Sequence, residues 1–365
     1  MTETPSEPHR LSSLTPAGAT VVTAAASFGL VALTLYMLVV GQEILIPLVL
    51  ALFITYLIAA LGRRFQRIRL GRRHIPDWLG LALATLVLVL VAAVTVQIAA
   101  SNLSDVVSAA PGYQDRLQGM FTEASTWAAE TLRLSKPLTL AALTEQIDLS
   151  SVIERFALGL RSIAANTLQV LIYVAFMLLE LRTFDIKLKA IFTDPNREKT
   201  IRKTLVTMGR KIETYVLIKS TISLLNSMLT YAILRFLGID FAGFWALLVL
   251  VLYFIPYIGS PLSILFPTVL ALLQFGALAP ALMVMASMAA VLGFVENFIE
   301  PRITGRSLNL SPVVVIVSLS LWGAMWGITG MILSVPLMVI VVIMLAQFPK
   351  TRPIAVLMSA NGDVS

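Results

Sequence analysis

Long apolar runs separated by short polar stretches dominate the pattern of this chain. The hydrocarbon core of a bilayer is about 30 Å thick, and a helix of about 20 apolar residues spans it. Runs of this kind lie at approximately residues 18–40, 44–61, 78–100, 161–181, 214–237 and 279–299. The pattern therefore predicts an all-α, polytopic integral membrane protein with about six full spans.

Two further apolar segments, residues 243–275 and 312–347, fit a single span poorly because proline and glycine interrupt them. The helical pieces of the first segment would be about 13–15 residues long, or roughly 20 Å, which is too short to cross a bilayer. Ser260–Pro261 and Ser311–Pro312 are typical of helix starts. We predict two interrupted, re-entrant helical hairpins, with broken spanning helices as the alternative. The expected hinge positions here are Pro256, Gly259, Pro261, Pro312, Gly327, Gly330 and Pro336.

Composition and charge support a membrane protein and orient it. Apolar residues make up 58% of the chain and charged residues 13%, against about 25% charged in soluble domains. The net charge is +7, and basic residues concentrate in two segments, 62–77 and 182–212. The positive-inside rule makes both of these segments cytoplasmic loops. The N- and C-termini are then also cytoplasmic, in a plasma membrane of bacterial type.

The same reasoning divides the chain into six regions. Residues 101–160 carry an acidic bias and predict an external, amphipathic helical segment. The regions are a disordered cytoplasmic tail (1–17), N-terminal spans with the first basic loop (18–100), the external segment (101–160), spans with the second basic loop (161–237), a transport core with both hairpins (238–347) and a cytoplasmic tail (348–365).

Three polar side chains fall within or beside the apolar segments. Lys219 and Asn226 are seven residues apart in the fifth span and so share a helix face. A lysine at mid-bilayer costs roughly 3 kcal/mol on insertion scales. We expect Lys219 either to snorkel to the interface or to pair with Glu296 or Glu300. Gln274, at the end of the first hairpin, contacts solute or lies at the outer interface.

The segment ENFIEPRITGRSLNLSP, residues 296–312, brings polar groups to the junction of two apolar runs. Glu296 and Glu300 are four residues apart and share a face. Pro301 cannot donate to the carbonyl of Asn297, which frees that carbonyl for an ion, a water or a side chain. Arg302 suits a helix C-terminus, and Gly305 permits a turn. The segment predicts a polar corner of a transport pathway, or alternatively an ordinary helix-to-loop junction.

Several function classes are excluded. There is no cysteine, which removes disulfides, thiolate metal sites and cysteine nucleophiles. Both histidines, His9 and His74, lie outside the spans, so an intramembrane serine or metal protease is excluded. No G-x-x-x-x-G-K-[ST] motif is present, so nothing in the sequence indicates ATP hydrolysis. We expect no enzyme, no metal, no cofactor and no nucleic-acid partner.

The pattern E-N-x-x-x-P-R-x-x-G-x-x-x-x-L-x-P, residues 296–312, resembles the hallmark of the autoinducer-2 exporter (AI-2E) transporter family. The upstream F-I-P-x-I-G at residues 254–259 and the downstream G-x-x-G-x-x-x-x-x-P at residues 327–336 match the same family. The resemblance implies a permease that exports the quorum-sensing furanone autoinducer-2. It also implies a homo-oligomer, such as a pentamer, whose hairpin region moves against a scaffold.

Three functions stay open at this point. The first is a secondary transporter exporting a small polar solute such as autoinducer-2, either coupled to an ion gradient or by facilitated movement. The second is a Na⁺(Li⁺)/H⁺ antiporter on the same fold, since other family members are linked to that activity. The third is an oligomeric membrane scaffold or channel. The expected partners are the lipid bilayer, a small polar solute and H⁺ or Na⁺.

Overall fold

A computed structural model describes residues 16–66, 69–70, 73–132, 167–181, 183–192, 194–304 and 309–363. These residues are almost entirely helical. The helices are α1 (Pro16–Val40), α2 (Gln42–Gln66), α3 (Asp77–Leu132), α4 (Thr167–Glu180), α5 (Phe184–Ile191), α6 (Pro195–Phe236), α7 (Ala242–Leu252), α8 (Gly259–Phe275), α9 (Leu278–Phe294), a π-helical turn (Val295–Ile299), α10 (Glu300–Thr304), α11 (Pro312–Ala346) and α12 (Arg352–Met358).

The fold class is confirmed as a polytopic all-α membrane protein. Five helices of the described chain are long and apolar enough to cross a membrane, and a sixth is counted if α4 and α5, bent by 66°, form one span. Two compact units are distinguished, Met1–Ile46 and Pro47–Ser365. The first unit holds α1 and the first turn of α2, and the second holds the rest of α2 and all later helices.

The two basic segments are more ordered than the loops that the sequence predicted. In the first, α2 runs to Gln66, and Arg69–Leu70 pairs antiparallel with Arg73–His74 in a small β-hairpin. In the second, α5 and the first 18 residues of α6 are helical. Asp194 caps α6 by accepting from the Asn196 N–H, and Glu198 and Asp185 pair with Arg202. Local capping and ion pairs therefore extend these helices beyond the apolar runs.

The segment that the sequence predicts to be external begins as a continuation of the third apolar run. A single helix, α3, covers Asp77–Leu132, and among its described residues Asp77–Val94 are long and apolar enough to cross a membrane. Residues 133–166 lie outside the described residues, as do the N-terminal residues 1–15. The long helix carries Tyr113 and Arg116 to the open end of the first hairpin, where Arg116 donates to the backbone carbonyl of Gln274.

Residues 242–275, called the first hairpin below, form two helices that reverse direction. The break at residues 253–258 contains Pro256 and Tyr257, whose φ of +62° is left-handed. Trp245 stacks on Phe266, with 6.3 Å between ring centroids, so the arms α7 and α8 pack antiparallel. A Cβ on Gly259 would lie 2.1 Å from the backbone oxygen of Leu252, which explains the need for glycine there.

Residues 312–346, called the second hairpin below, reverse at Gly327. The φ of +60° and ψ of −141° at this glycine are not helical and divide α11 into two arms. The Ser318 hydroxyl donates to the carbonyl of Ser334 at 2.9 Å across the arms. A Cβ on Gly330 would lie 1.9 Å from the backbone oxygen of Trp322. Pro336, expected as a hinge, lies buried inside the second arm instead.

The helix starts agree with the sequence to within two residues. Helix α11 begins at Pro312 after Ser311, as predicted, although the Ser311 side chain makes no capping hydrogen bond. Helix α8 begins at Gly259, so Ser260 and Pro261 lie inside it and Ile258 is the cap. The Ser260 hydroxyl lies 3.3 Å from the Tyr253 hydroxyl, which gives that serine a different partner from the one that a capping role predicts.

Helix α6 lies at the centre of the second unit. It packs against α7 of the first hairpin, against α9 and α10, and against α11 of the second hairpin. The main apolar cluster joins it to the first hairpin, to α9 and to the π-helical turn through buried residues that include Ile222, Leu234, Val249, Met288 and Val295. Helix α6 therefore lies between the first hairpin and the helix that leads to the second hairpin.

Candidate functional site

Lys219 of α6 and Glu300 of α10 form an ion pair inside the helical bundle. The Nζ and Oε1 atoms are 2.5 Å apart, and the side chains are 15% and 19% exposed. Exposed ion pairs contribute little because water screens them, whereas a partly desolvated pair interacts more strongly. The structure thus pairs Lys219 with the second of the two glutamates that the sequence offered, and the lysine does not extend alone to the interface.

A π-helical turn at Val295–Ile299 brings Glu296 and Asn297 to the same corner. The backbone N–H of Glu300 donates to the carbonyl of Val295, five residues earlier, which is the π-helical pattern. The widening directly precedes Pro301, whose ring and missing N–H disturb the turn before it. Single π-helical turns within α-helices occur frequently at functional sites.

Within this turn, the side chains of Asn297 and Glu296 differ in burial and in their partners. Asn297 is exposed and its Nδ2 donates to the carbonyl of Gly293 at 2.8 Å. Glu296 is half-buried and forms no ion pair with any residue of the described ranges. Among the described residues, the corner therefore holds one carboxylate paired with a cation, that of Glu300, and one without a cationic partner, that of Glu296.

The inner face of α6 is polar over four turns. Tyr215, Lys219, Ser223, Asn226 and Thr230 recur at intervals of three or four residues and so share one side of the helix. All of them except Lys219 are buried. Among the residues that the structure describes, the polar side-chain atoms of these four have no hydrogen-bond partner. Each such atom costs about 1–3 kcal/mol of stability.

The closed end of the first hairpin reaches the same corner. Tyr253, the first residue after α7, is 4% exposed and belongs to the same apolar cluster as Val295 of the π-helical turn. Ile299 packs against this cluster as well. The hairpin tip, the π-helical turn and the central helix therefore meet beside the Lys219–Glu300 pair.

Gln274 lies at the opposite, open end of the first hairpin. Its Oε1 accepts from the N–H of Asp240 at 2.9 Å, and its Nε2 donates to the carbonyl of Gly238 at 2.8 Å. The side chain thus ties the end of α8 to the residues that precede α7. Each of its polar atoms makes one hydrogen bond to the backbone, and the contact with solute that the sequence left open stays a prediction.

Tyr113 of α3 adds a second contact to this open end. Its hydroxyl donates to Asp240 Oδ2 at 2.7 Å, and its ring lies edge-on to Phe241. Burial raises the pKa of Tyr113, and the hydrogen bond to the Asp240 carboxylate raises that pKa further. The long helix is thereby attached to the base of the hairpin.

The other predicted site residues are exposed, lie outside the described residues or lie in the hairpins. Arg302 is exposed. Gly305 lies outside the described residues. Pro256, Gly259, Gly327 and Gly330 lie at the hairpin turns or at close backbone contacts between the hairpin arms.

Sequence reasoning missed four polar positions of this site. Tyr215, Ser223 and Thr230 belong to the polar face of α6, and Tyr253 lies at the hairpin tip. The signal for the first three was present, because they share the spacing that linked Lys219 to Asn226. Serine and threonine in apolar helices usually bond to their own backbone, and for that reason their type alone does not single them out.

Comparison with known proteins assigns the chain to a family. The family model described as AI-2E family transporter matches residues 28–350. The AI-2 transport protein TqsA of Escherichia coli (strain K12) is 29% identical over 323 residues, which cover 87% of this chain and 90% of the relative. A sodium-lithium/proton antiporter of Halobacillus andaensis is 25% identical over 324 residues, covering 84% and 88% of the two chains. The resemblance to this family is thus confirmed, and the chain belongs to the AI-2E family of transporters.

Proposed function

We propose that this protein is a secondary transporter that exports a small polar solute such as autoinducer-2. The similarity to an AI-2 transport protein over most of both chains supports this substrate. Movement would follow an ion gradient or the gradient of the solute itself, since the sequence contains no nucleotide-binding loop of the G-x-x-x-x-G-K-[ST] type.

The observation that carries this proposal is the neutral Lys219–Glu300 ion pair beside the polar face of α6. Lys219 neutralises Glu300, so the pair offers neither a free anion nor a free cation. The adjoining face of α6 contributes hydroxyl and amide groups, which bond to neutral polar molecules. Interrupted helices at such a place are typical of transporter binding sites, because their turns expose backbone groups to a cavity.

A Na⁺(Li⁺)/H⁺ antiporter is the second candidate, and the similarity to the antiporter of Halobacillus andaensis favours it. Antiport requires an intramembrane carboxylate that releases a proton when the metal ion binds. Glu296 is the carboxylate of the corner that has no ion-pair partner among the described residues. The antiporter proposal therefore depends on this one side chain.

We further propose a homo-oligomer, such as a pentamer, in a plasma membrane of bacterial type, with both termini in the cytoplasm. Three contacts support the orientation. Arg63 at the end of α2 pairs with Glu213 of α6, which supports a common side for both basic segments. Tyr113 and Arg116 of the segment predicted to be external contact the base of the first hairpin, which supports an external position for that base.

The test is transport by the purified full-length protein in liposomes that contain a pH-sensitive dye. Wild type, Glu296→Gln and a matched control, Glu180→Gln, receive Na⁺, Li⁺, K⁺ and then autoinducer-2. Glu180 is an exposed carboxylate paired with Lys187, so its substitution is expected to leave transport unchanged.

The two candidates predict different results. Autoinducer-2 movement without a cation-dependent proton signal supports the exporter, and Glu296→Gln then alters its rate or its pH dependence only. A Na⁺- or Li⁺-dependent proton signal that Glu296→Gln abolishes and Glu180→Gln keeps makes the protein an antiporter. Absence of both signals in the wild type would contradict both proposals.

A further inference from the structure

Three polar side chains on the inner face of α6 are buried and have no hydrogen-bond partner within the described part of the chain. Ser223, Asn226 and Thr230 are each 0% exposed. The two hydroxyl groups and both polar atoms of the amide have no hydrogen-bond partner among the residues that the structure describes. These atoms are aligned, because positions 223, 226 and 230 follow one helix face over seven residues, or about 10.5 Å of helix axis.

Other hydroxyl groups on the same helix behave in the usual way. The Thr221 hydroxyl donates to the carbonyl of Leu217 at 2.8 Å, and the Ser227 hydroxyl donates to the carbonyl of Ala246 at 2.7 Å. Buried polar groups in native proteins are nearly always hydrogen-bonded, and exceptions require an explanation such as a ligand. Along the membrane-embedded part of α6, Thr221 and Ser227 thus have partners, whereas the hydroxyl and amide groups of the inner face have none among the described residues.

The hydroxyl and amide groups of this face indicate which class of molecule would bind there. A serine or threonine hydroxyl and an asparagine amide each both donate and accept hydrogen bonds. The nearest charged pair, Lys219 with Glu300, is internally neutral. A metal cation prefers several oxygen ligands including carboxylates, and an anion needs a cation or several N–H groups. A neutral molecule with hydroxyl groups matches all three side chains.

Both hairpins pack on α6, so movement of either one would change what covers its polar face. Helix α6 packs against both hairpins as well as α9 and α10, and the hairpin turns contain Tyr257 and Gly327 with positive φ. We propose that Ser223, Asn226 and Thr230 form a binding track for an uncharged, hydroxyl-bearing solute, closed in this state and opened when a hairpin moves. This inference rests on the proposed transport function and assigns its solute to particular atoms.

The chain itself supplies the background for the first test, since it contains no cysteine. Ser223→Cys, Asn226→Cys and Thr230→Cys are made singly in the full-length protein and reconstituted in liposomes. A small, membrane-impermeant methanethiosulfonate reagent is applied to both faces. Leu224→Cys, on the outer surface of the helix, and Leu234→Cys, fully buried in the apolar cluster, are the matched controls.

The inference expects all three track cysteines to react and both controls to stay unmodified. Autoinducer-2 at about ten times its dissociation constant should then slow the reaction about ten-fold. Ribose, Na⁺ and Li⁺ are tested in parallel. Unreactive track cysteines would overturn the inference, and so would protection by Na⁺ or Li⁺ alone, which would make this a cation site.

Isosteric apolar variants test the same track without a reagent. Ser223→Ala, Asn226→Leu and Thr230→Val remove polar atoms that have no partner, so the thermal midpoint should stay equal or rise. The KM for autoinducer-2 export should rise about ten-fold for each lost hydrogen bond to solute. An unchanged KM would contradict the track, and a large fall in thermal midpoint would reveal hidden structural partners and contradict it too.

These readouts separate failure of the track from failure of the proposed function. Export of autoinducer-2 by the wild type with unreactive track cysteines leaves the transporter intact and removes the track. Reactive cysteines that ribose protects and autoinducer-2 does not would keep the track and refute autoinducer-2 as the solute.

Discussion

At the scale of single residues, the Lys219–Glu300 pair shows how a charge is retained inside an apolar bundle. Neither group is fully buried, so each retains some contact with solvent while the 2.5 Å contact supplies most of the compensation. Removing one partner leaves a charge that is desolvated and unpaired, which is more costly than losing the pair as a whole.

Glu300→Gln should therefore lower the free energy of unfolding by about 2–3 kcal/mol, near the lower end for buried pairs because the site is partly exposed. The double variant Lys219→Met with Glu300→Gln should recover most of that loss. Thermal unfolding of both variants in lipid nanodiscs checks this. Equal stability of the single variant and wild type would mean that the pair is solvated.

At the scale of elements, the two hairpins are held by close contacts between their own arms. Backbone approaches backbone at Gly259 with Leu252 and at Gly330 with Trp322. The open end of the first hairpin is held instead by side-chain hydrogen bonds from Gln274. Each hairpin is thus a unit that keeps its shape if it moves against α6.

Gly330→Ala should disrupt the second hairpin, because the new methyl group would meet the Trp322 backbone oxygen at 1.9 Å. We expect a loss of about 3 kcal/mol or failure to fold. Gly293→Ala in α9 is the control, since nothing lies within 4 Å of its Cβ position, and it should stabilise slightly. The thermal midpoints of the two variants are compared. Equal values would contradict close packing between the two arms of the second hairpin.

Gln274→Met should loosen the base of the first hairpin by about 1–2 kcal/mol, since it removes two hydrogen bonds and keeps the side-chain volume. Gln274→Glu retains an acceptor for the Asp240 N–H and should lose less. Hydrogen exchange at Asp240 reports the contact directly. Identical exchange rates of the Asp240 amide in wild type and Gln274→Met would show that the Gln274 hydrogen bonds do not hold the base of the hairpin.

At the scale of the whole molecule, the charge pattern and the tertiary contacts predict the same arrangement in the membrane. The basic segments approach each other through Arg63 and Glu213, and the acidic helix end approaches the first hairpin through Tyr113. A membrane orientation requires such contacts to lie on opposite sides of the apolar bundle.

Single cysteines test this orientation, again on the natural cysteine-free background. Glu123→Cys on the exposed part of α3 should react with an impermeant maleimide in intact cells. Lys199→Cys on the exposed start of α6 should react only after lysis. The reverse labelling pattern would invert the proposed topology.

The sequence by itself determined the fold class, the family, the interruptions of the two hairpins and the polar corner. Each depends on local chemistry: apolar length, the missing N–H of proline, the freedom of glycine and a motif of contiguous residues. Helix bounds near charged segments were less predictable, because Asp194 and Arg202 extend helices through caps and ion pairs.

Only the tertiary structure decided which glutamate Lys219 pairs with, what Gln274 binds and which hydroxyl groups stay without partners. Glu296 and Glu300 are equivalent in sequence, and the choice between them depends on where the π-helical turn directs each side chain. Partners 81 residues apart for Lys219 and 36 for Gln274 meet only when the helices pack. Such contacts depend on how all the helices pack, so the local residue pattern around Lys219 or Gln274 does not predict them.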